Sequence, residues 1–527
     1  MRHYLLSFAL LALLPQAVNA QTFDRGLETW NERNLNEVLN VGYFSKNPVR
    51  LADNSVQDFG VARVAYQADR GKFHAPNRSG HINDLDVYIG GLRKIKKISL
   101  SGFLEYINTK RNDQKWDSTL GIYTDNPFVL GDSISSNQTI EQFKLNATGA
   151  ICLSDAWTLG LSINLLTGRL SDQSDPRPET STSEVPLTLG ASWKASNRMK
   201  VGLNVGARFF RSDISHAIID PLLNYSYFLM KGNGDYYRRS SADVSGYERE
   251  YKGNYYNAAL QFEYDAQHLS NLFELSYESG KETAVDEGST PFRGGDYKPI
   301  SVDFSDRLKL ENQNGRIHNF ILSAAYNSGD AIWYDQKKVV DTEHANREYY
   351  QVLSSYKAQK NRIIKGQLEY RFDYMRDNGR LYFLDAALSA CNFDRTHYGS
   401  RSNSVQKATL LGADVAGGYN FHTSKVKWQT SLRIGYSMPT ADNYEDASSY
   451  SSENLSPQYS RPMFAYETAV QFRCGATVNA TLPISRVLSV GAYVRADNRM
   501  FCGNDKYEAG LKSTNYTTVE SGIYLIF

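Results

Sequence analysis

The sequence predicts an all-β chain closed into an antiparallel transmembrane barrel. The strand number is even, about 18–20 within a range of roughly 14–20. Three observations predict it. Apolar and polar residues alternate strictly in run after run. Long and short connections sort onto opposite sides of those runs. The final run is amphipathic and ends on an aromatic residue.

The alternation is clearest at 363–375. Even positions read Ile364, Gly366, Leu368, Tyr370, Phe372 and Tyr374, and odd positions read Ile363, Lys365, Gln367, Glu369, Arg371 and Asp373. Successive strand side chains leave on opposite faces, so one face is apolar and the other charged. The stretch 427–438 alternates Trp428, Leu432, Ile434 and Tyr436 with Gln429 and Arg433. The stretch 464–474 sets Phe464, Tyr466 and Phe472 against Glu467 and Arg473. About twenty such runs follow one another from 57–67 to 516–527, among them 317–327, 331–341, 346–358, 361–374 and 463–476. Many span about the 9–11 residues that cross a bilayer with tilt, longer than the roughly 5–6 of globular sheets.

Counting outward from residue 57, one side of these runs collects the long links 69–82, 109–139, 170–183, 213–251, 282–300, 392–406, 438–462 and 499–515, plus two short ones. The other collects tight turns at 154–155, 196–197, 266–268, 422–424 and 482–484. Membrane barrels sort their links this way, with short periplasmic turns and long external loops. Trp428 and Tyr436 bracket one apolar face eight residues apart, roughly 20 Å along the normal at the usual rise and tilt. That approaches the spacing of two aromatic girdles. Tyr370 and Phe372 are then expected to face lipid.

Composition agrees. Mean hydropathy is −0.48, and beyond the N-terminus no apolar run approaches the roughly 18–20 residues of a spanning helix. Half-apolar strands escape that test. The 58 basic and 57 acidic residues balance to a net charge of +1, which gives no footprint for nucleic acid. Cys152, Cys391, Cys474 and Cys502 form no C-x-x-C pair, so neither a metal site nor a disulfide is expected.

Residues 1–20 read as a secretory signal peptide: Arg2 and His3, an apolar stretch from Leu5 to Leu14, and small residues Val18 and Ala20 before Gln21. Residues 21–56 form an N-terminal segment, either a periplasmic tail or a partial plug whose Trp30, Tyr43 and Phe44 pack on the lumen wall. Residues 57–527 form the barrel. The last run carries Ile523, Leu525 and Phe527 at alternate positions. It resembles the C-terminal strand of bacterial outer-membrane proteins, which the barrel-assembly machinery reads as a signal.

Two further stretches carry a family resemblance, YFSKNPVRLADNS at 43–55 and DNPFVLGDS at 125–133. On these the chain resembles uncharacterised outer-membrane β-barrels of Bacteroidota. The first stretch is also distantly similar to the Asn-Pro segment of PorP-type barrels, with Val49 where those carry Ala after Pro. The resemblance implies an integral outer-membrane location with long loops outside. It also implies the company of a TonB-dependent transporter or a surface lipoprotein.

No catalytic or metal motif stands out among the nine histidines, and no cofactor is expected. Ser215 and His216 in the long 213–251 segment could be cast as a rim-located membrane hydrolase, a third reading of the function. The Tyr- and Arg-rich stretch 226–256 reads either as loop and strand extension or as an external docking surface. The charged face is the candidate site: Lys365, Glu369, Arg371, Asp373, Arg433, Glu467 and Arg473. Rows of opposite charge either neutralise one another along a wet wall or orient polar solutes at a constriction. The expected function is passive passage of polar solutes or service as accessory to a nutrient-uptake complex. The alternative is a structural subunit of a secretion or surface-protein assembly. The partners expected are outer-membrane lipid and the assembly machinery.

Overall fold

A computed structural model of the protein describes residues 45–527 apart from 54–57, 221–224, 241–246, 288–289, 313, 344–346, 377–378, 400–401, 447–454, 486–487 and 508. The expected signal peptide and Trp30, Tyr43 and Phe44 lie outside the described residues. The strands begin with β1 (Phe59–Gly71), β2 (His81–Ile95), β3 (Ile98–Gln114), β4 (Leu130–Gly131), β5 (Ser136–Cys152), β6 (Trp157–Asp172) and β7 (Pro178–Lys194). They continue with β8 (Met199–His216), β9 (Ser226–Gly232), β10 (Asp235–Ser240), β11 (Glu248–Ala266), β12 (Leu269–Glu287), β13 (Phe292–Glu311) and β14 (Arg316–Asp341). The last are β15 (Arg347–Arg376), β16 (Gly379–Tyr398), β17 (Asn403–Thr423), β18 (Val426–Glu445), β19 (Gln471–Pro483), β20 (Ser489–Phe501) and β21 (Asn515–Ile526).

Eighteen of them pair antiparallel with their neighbours in one closed ring, and β21 returns to pair with β1 from Val61↔Ile526 to Gly71↔Tyr516. The strands β4, β9 and β10 form a separate three-stranded sheet. Closure leaves no free edge, as a sheet in hydrocarbon requires.

Two hairpin strands are longer than the alternation suggests. Runs 317–327 and 331–341 are one strand, β14, and runs 346–358 and 361–374 are one strand, β15. The "NSGD" at 327–330 reads as a turn, yet Gly329 pairs with Asn361. Bulges at Ala331/Ile332 and Asp335/Gln336 absorb the register change. Twenty runs therefore make eighteen strands. With 26 and 30 residues, β14 and β15 outreach the 13-residue β19 and β20. The run 463–476 is also corrected. Residues Arg461–Glu467 form an α-helix opened by Pro462, and β19 begins only at Gln471. Proline suits a first helical turn, whose N–H groups have no intrahelical partner.

The apolar face points outward. Leu161, Leu203, Leu368, Leu388, Leu432 and Ile434 are exposed, whereas Glu369, Arg371 and Asp373 are buried inside. Aromatic residues bound this belt. At the tight-turn end Trp157 stacks on Trp193 at 6.3 Å and Phe421 on Trp428 at 6.3 Å. Toward the loop end Tyr106 meets Phe143 at 4.8 Å, with Tyr256, Tyr277 and Tyr436 exposed at similar depth. Tyr370 and Phe372 share the outward face of β15 with Leu368, as the alternation predicts.

Leu368→Arg should prevent stable membrane assembly, because arginine on a lipid face near midplane costs about 2–4 kcal/mol. The neighbouring Gln367→Arg points inward and should be tolerated. The amount of heat-modifiable protein in the membrane fraction measures both. Equal loss in both variants would reverse the assignment of faces.

Candidate functional site

The inner wall in the belt region is lined by paired charges. On β15, Arg371 Nε lies 3.2 Å from Asp373, with Glu369 two residues further along the same face and Lys365 half-buried beyond it. Two strands further along the same wall, Asp414 of β17 is gripped by Arg433 of β18 at 3.2 Å and Arg473 of β19 at 3.0 Å. Sequence reasoning did not single out Arg63, Asp86, Glu105 and Lys144, which continue the pattern. Arg63 sits 2.5 Å from Asp86, and Lys144 sits 2.8 Å from Glu105. The same alternation in β1, β2, β3 and β5 marks them. Nearer the loop end, Arg208 pairs with Glu278 at 3.0 Å and lies over the Tyr255 ring at 3.8 Å.

Glu467 also faces the interior, from the helix Arg461–Glu467 rather than from a strand. Its carboxylate takes both guanidinium nitrogens of Arg395 on β16, one of them at 3.0 Å. The apolar half of this helix is buried with it. Phe464 is fully enclosed by Phe393, Tyr444 and Tyr507. Burying an aromatic ring outweighs the local strand-like alternation.

Above the charged belt the lumen is filled by its own loops. The segment between β3 and β5 enters, and its strand β4 pairs with β9. Asn126 donates to Glu282 of β12 at 2.5 Å, and Asn361 of β15 donates to the Asp125 carbonyl at 2.6 Å. Thr180 of β7 donates to the Ser118 carbonyl at 2.6 Å. Asn233, between β9 and β10, donates to the carbonyls of Arg395 and Ser404 on β16 and β17, both at 3.3 Å. The loops also hold one another: Trp116 packs on Phe228 and Tyr459, and Leu455 N–H reaches the Gly234 carbonyl at 3.3 Å. Anchors on β7, β12, β15, β16 and β17 place this plug across the barrel rather than along one wall.

Among the described residues of the Tyr- and Arg-rich stretch 226–256, three tyrosines are turned inward. Tyr227, Tyr251 and Tyr255 are completely buried, packed with Phe210, Ile214 and Leu229. Tyr255 Oη donates to Glu282 at 2.7 Å, and Tyr251 Oη to the Phe128 carbonyl at 2.7 Å. These tyrosines serve the plug and offer no external docking surface. Ser215 and His216 do not form a pair. Ser215 is exposed, while His216 is buried with Nδ1 3.0 Å from the Tyr247 carbonyl. Among the described residues no group of His, Cys, Asp or Glu is arranged to hold a metal.

Residues 45–53 lie on the inner wall near the tight-turn end. Asn47 Oδ1 accepts from Val49 N–H at 3.1 Å, opening the short 3-10 helix Pro48–Leu51. Asn47 Nδ2 donates to Gln261 at 2.9 Å. Arg50 pairs with Glu263, and Lys46 reaches Asp303 at 2.6 Å. The wall beneath is glycine by necessity. A Cβ at Gly190 would stand 2.0 Å from Asn47 Oδ1, and one at Gly160 would stand 2.7 Å from the Val49 nitrogen.

A model of one family matches residues 48–527. The chain belongs to the family of unknown function DUF6850. The matched span takes in the wall-docked helix from Pro48 and all eighteen barrel strands. No curated protein matches the chain. Among solved structures it is similar to the RagAB peptide transporter, at 7% identity and a TM-score of 0.44, covering 89% of this chain and 86% of that one. It is also similar to the copper transporter OprC, at 9% identity and TM-score 0.39, covering 89% and 82%. A third is the ferric yersiniabactin uptake receptor FyuA from Yersinia pestis, at 10% identity and TM-score 0.39, covering 88% and 80%.

Arg395→Ala should release the helix Arg461–Glu467, since leaving one partner of a largely buried ion pair alone costs about 3 kcal/mol. Chymotrypsin should then cleave after Phe464 or Tyr466, both buried in the parent, much faster than it does there. An unchanged cleavage rate would remove Arg395 as the anchor.

The plug should also respond to pH through Asp132, beside β4. Burial, with the Asp172 carboxylate adding to it, pushes the Asp132 carboxyl up to about 7 against the N–H of Ile134 donated at 2.7 Å. A carboxyl whose folded pKa is raised binds its proton more tightly in the packed state. Its contribution is fully present below about pH 4 and is lost as pH rises through about 7. Hydrogen exchange across 115–135, corrected for intrinsic rates, should be slower at pH 5 than at pH 8. Asp132→Asn should flatten the difference.

Proposed function

We propose that this protein is an integral outer-membrane barrel of a nutrient-uptake system, passing polar solutes along a charged inner wall that its own loops close from outside. The observation carrying this reading is the stacking of two layers. A wall of paired charges, Arg63 to Asp86 and Arg433 and Arg473 to Asp414, lies beneath a plug of loops bonded around the barrel. Charges of both signs hold water and orient polar solutes without selecting strongly for one ion sign. The aromatic-bounded apolar belt supports membrane integration, and the sorting of links supports an orientation with the long ones outside the cell. Residues 21–56 act in this reading as a partial plug from the periplasmic side, supported by the docking of 45–53 on the inner wall. The outward-facing Ile523, Leu525 and Phe527 serve as the assembly signal.

A second reading, a structural subunit of a secretion or surface-protein assembly, is favoured by one observation. The β14–β15 hairpin extends beyond the other strands with Val340, Tyr349, Val352 and Leu353 exposed. A surface lipoprotein or a TonB-dependent transporter is the partner proposed for it.

Planar-bilayer recording separates the two. The intact barrel should be nearly silent, and replacing 117–131 and 456–467 by short Gly-Ser links should open stepwise conductance. A variant that folds but stays silent would remove solute passage. Recovery of a stoichiometric outer-membrane partner after mild-detergent extraction would then favour the structural subunit.

A further inference from the structure

We infer that the outer wall of β13–β17, just above the apolar belt, binds phosphate groups of the glycolipid forming the outer leaflet. This rests on the outer-membrane reading above. Two cross-strand rows of charge lie there, side by side. Register places Lys298 of β13 opposite Asp330 of β14, and Asp330 opposite Lys360 of β15. It places Arg362 of β15 opposite Asp394 of β16, and Asp394 opposite Lys407 of β17.

The rows carry an excess of positive charge. Asp330 is held by Lys357 at 2.6 Å, while Asp394 is shared by Arg362 at 3.1 Å and Lys407 at 3.3 Å. Lys298 and Lys360 are exposed and have no ion-pair partner among the described residues. Five cations thus face two carboxylates on one outward surface. Alternate residues Tyr297, Gln359 and Ala408 are buried within the barrel, so the cations project away from it.

Depth identifies the partner. Ile300 is the next outward residue below Lys298, and Ile364 the next below Arg362. Both are exposed members of the apolar belt. On β17 the exposed Leu411 lies two outward positions below Lys407. The patch is therefore continuous with the lipid-facing surface and sits at headgroup level. A soluble acidic protein would have to displace lipid to reach it. Basic residues at this depth attract anionic lipid headgroups, and lysine and arginine bind phosphate directly.

The test uses the full-length barrel purified in mild detergent, with added lipid A or the same lipid A stripped of its phosphates, read by native mass spectrometry. The parent should retain phosphorylated lipid A and not the dephosphorylated form. A combined Lys298→Gln, Lys360→Gln, Arg362→Gln and Lys407→Gln variant should lose about tenfold or more of that binding. It should keep its heat-modifiable mobility, because the substitutions lie outside the barrel interior. Equal retention of both lipids by the parent, or equal binding by parent and variant, would overturn the inference while leaving the membrane reading intact. A parent protein that alkaline carbonate strips from the membrane fraction would overturn both.

Discussion

A backbone N–H or C=O left unpaired in hydrocarbon costs several kcal/mol, and the ladder between β1 and β21 is where this chain meets that constraint. Residues some 450 positions apart in sequence must find one register, Val61 with Ile526 through Gly71 with Tyr516. Once they do, no barrel strand has a free edge, and inside and outside become chemically separate. The apolar side chains that would form the core of a sandwich are instead its exterior. The charged residues that would meet water on a sandwich are enclosed.

Closure also creates an interior that must be filled or wetted, and the molecule does both. In the belt region the wall carries ions that neutralise one another across neighbouring strands, as Asp414 does for Arg433 and Arg473. Toward the loop end the filling is aromatic. Tyr227, Tyr251 and Tyr255 bury their rings and direct their hydroxyls to Pro176, Phe128 and Glu282, which leaves them no need of water. A loop bonded in this way is part of the folded core. It can leave the lumen only by breaking several hydrogen bonds together. At the other end, Asn47 and Pro48 lie against Gly160 and Gly190, where a side chain would push the segment off the wall.

Much of this was legible in the sequence, because a two-residue period reports which face a side chain takes wherever the strand is regular. The alternation placed Glu369, Arg371 and Asp373 inside and Leu368 and Phe372 outside. It carries the same information for Arg63 and Glu105, whose inner faces also hold the apolar Ala65 and Phe103 and so look less charged. It failed where a local pattern has two physical solutions. The stretch "FAYETAV" alternates like a strand, yet Pro462 and the enclosure of Phe464 make it a helix, and Glu467 reaches Arg395 from there. The "NSGD" at 327–330 has turn composition, yet pairing with Asn361 carries the strand through it.

The sequence by itself determined the all-β class, the closed membrane-type barrel and the two faces of most strands. Each follows from residues adjacent in the chain and from a period that local sterics impose. Only the tertiary structure decided the strand count of eighteen, the inward folding of the loops and the docking of residues 45–53. It alone placed Lys298, Asp330 and Lys360 in one row on the outer wall. Those depend on which distant segments share a register or a cavity. That choice is set by the summed free energy of closing the ring and filling its interior, and no local stretch encodes it.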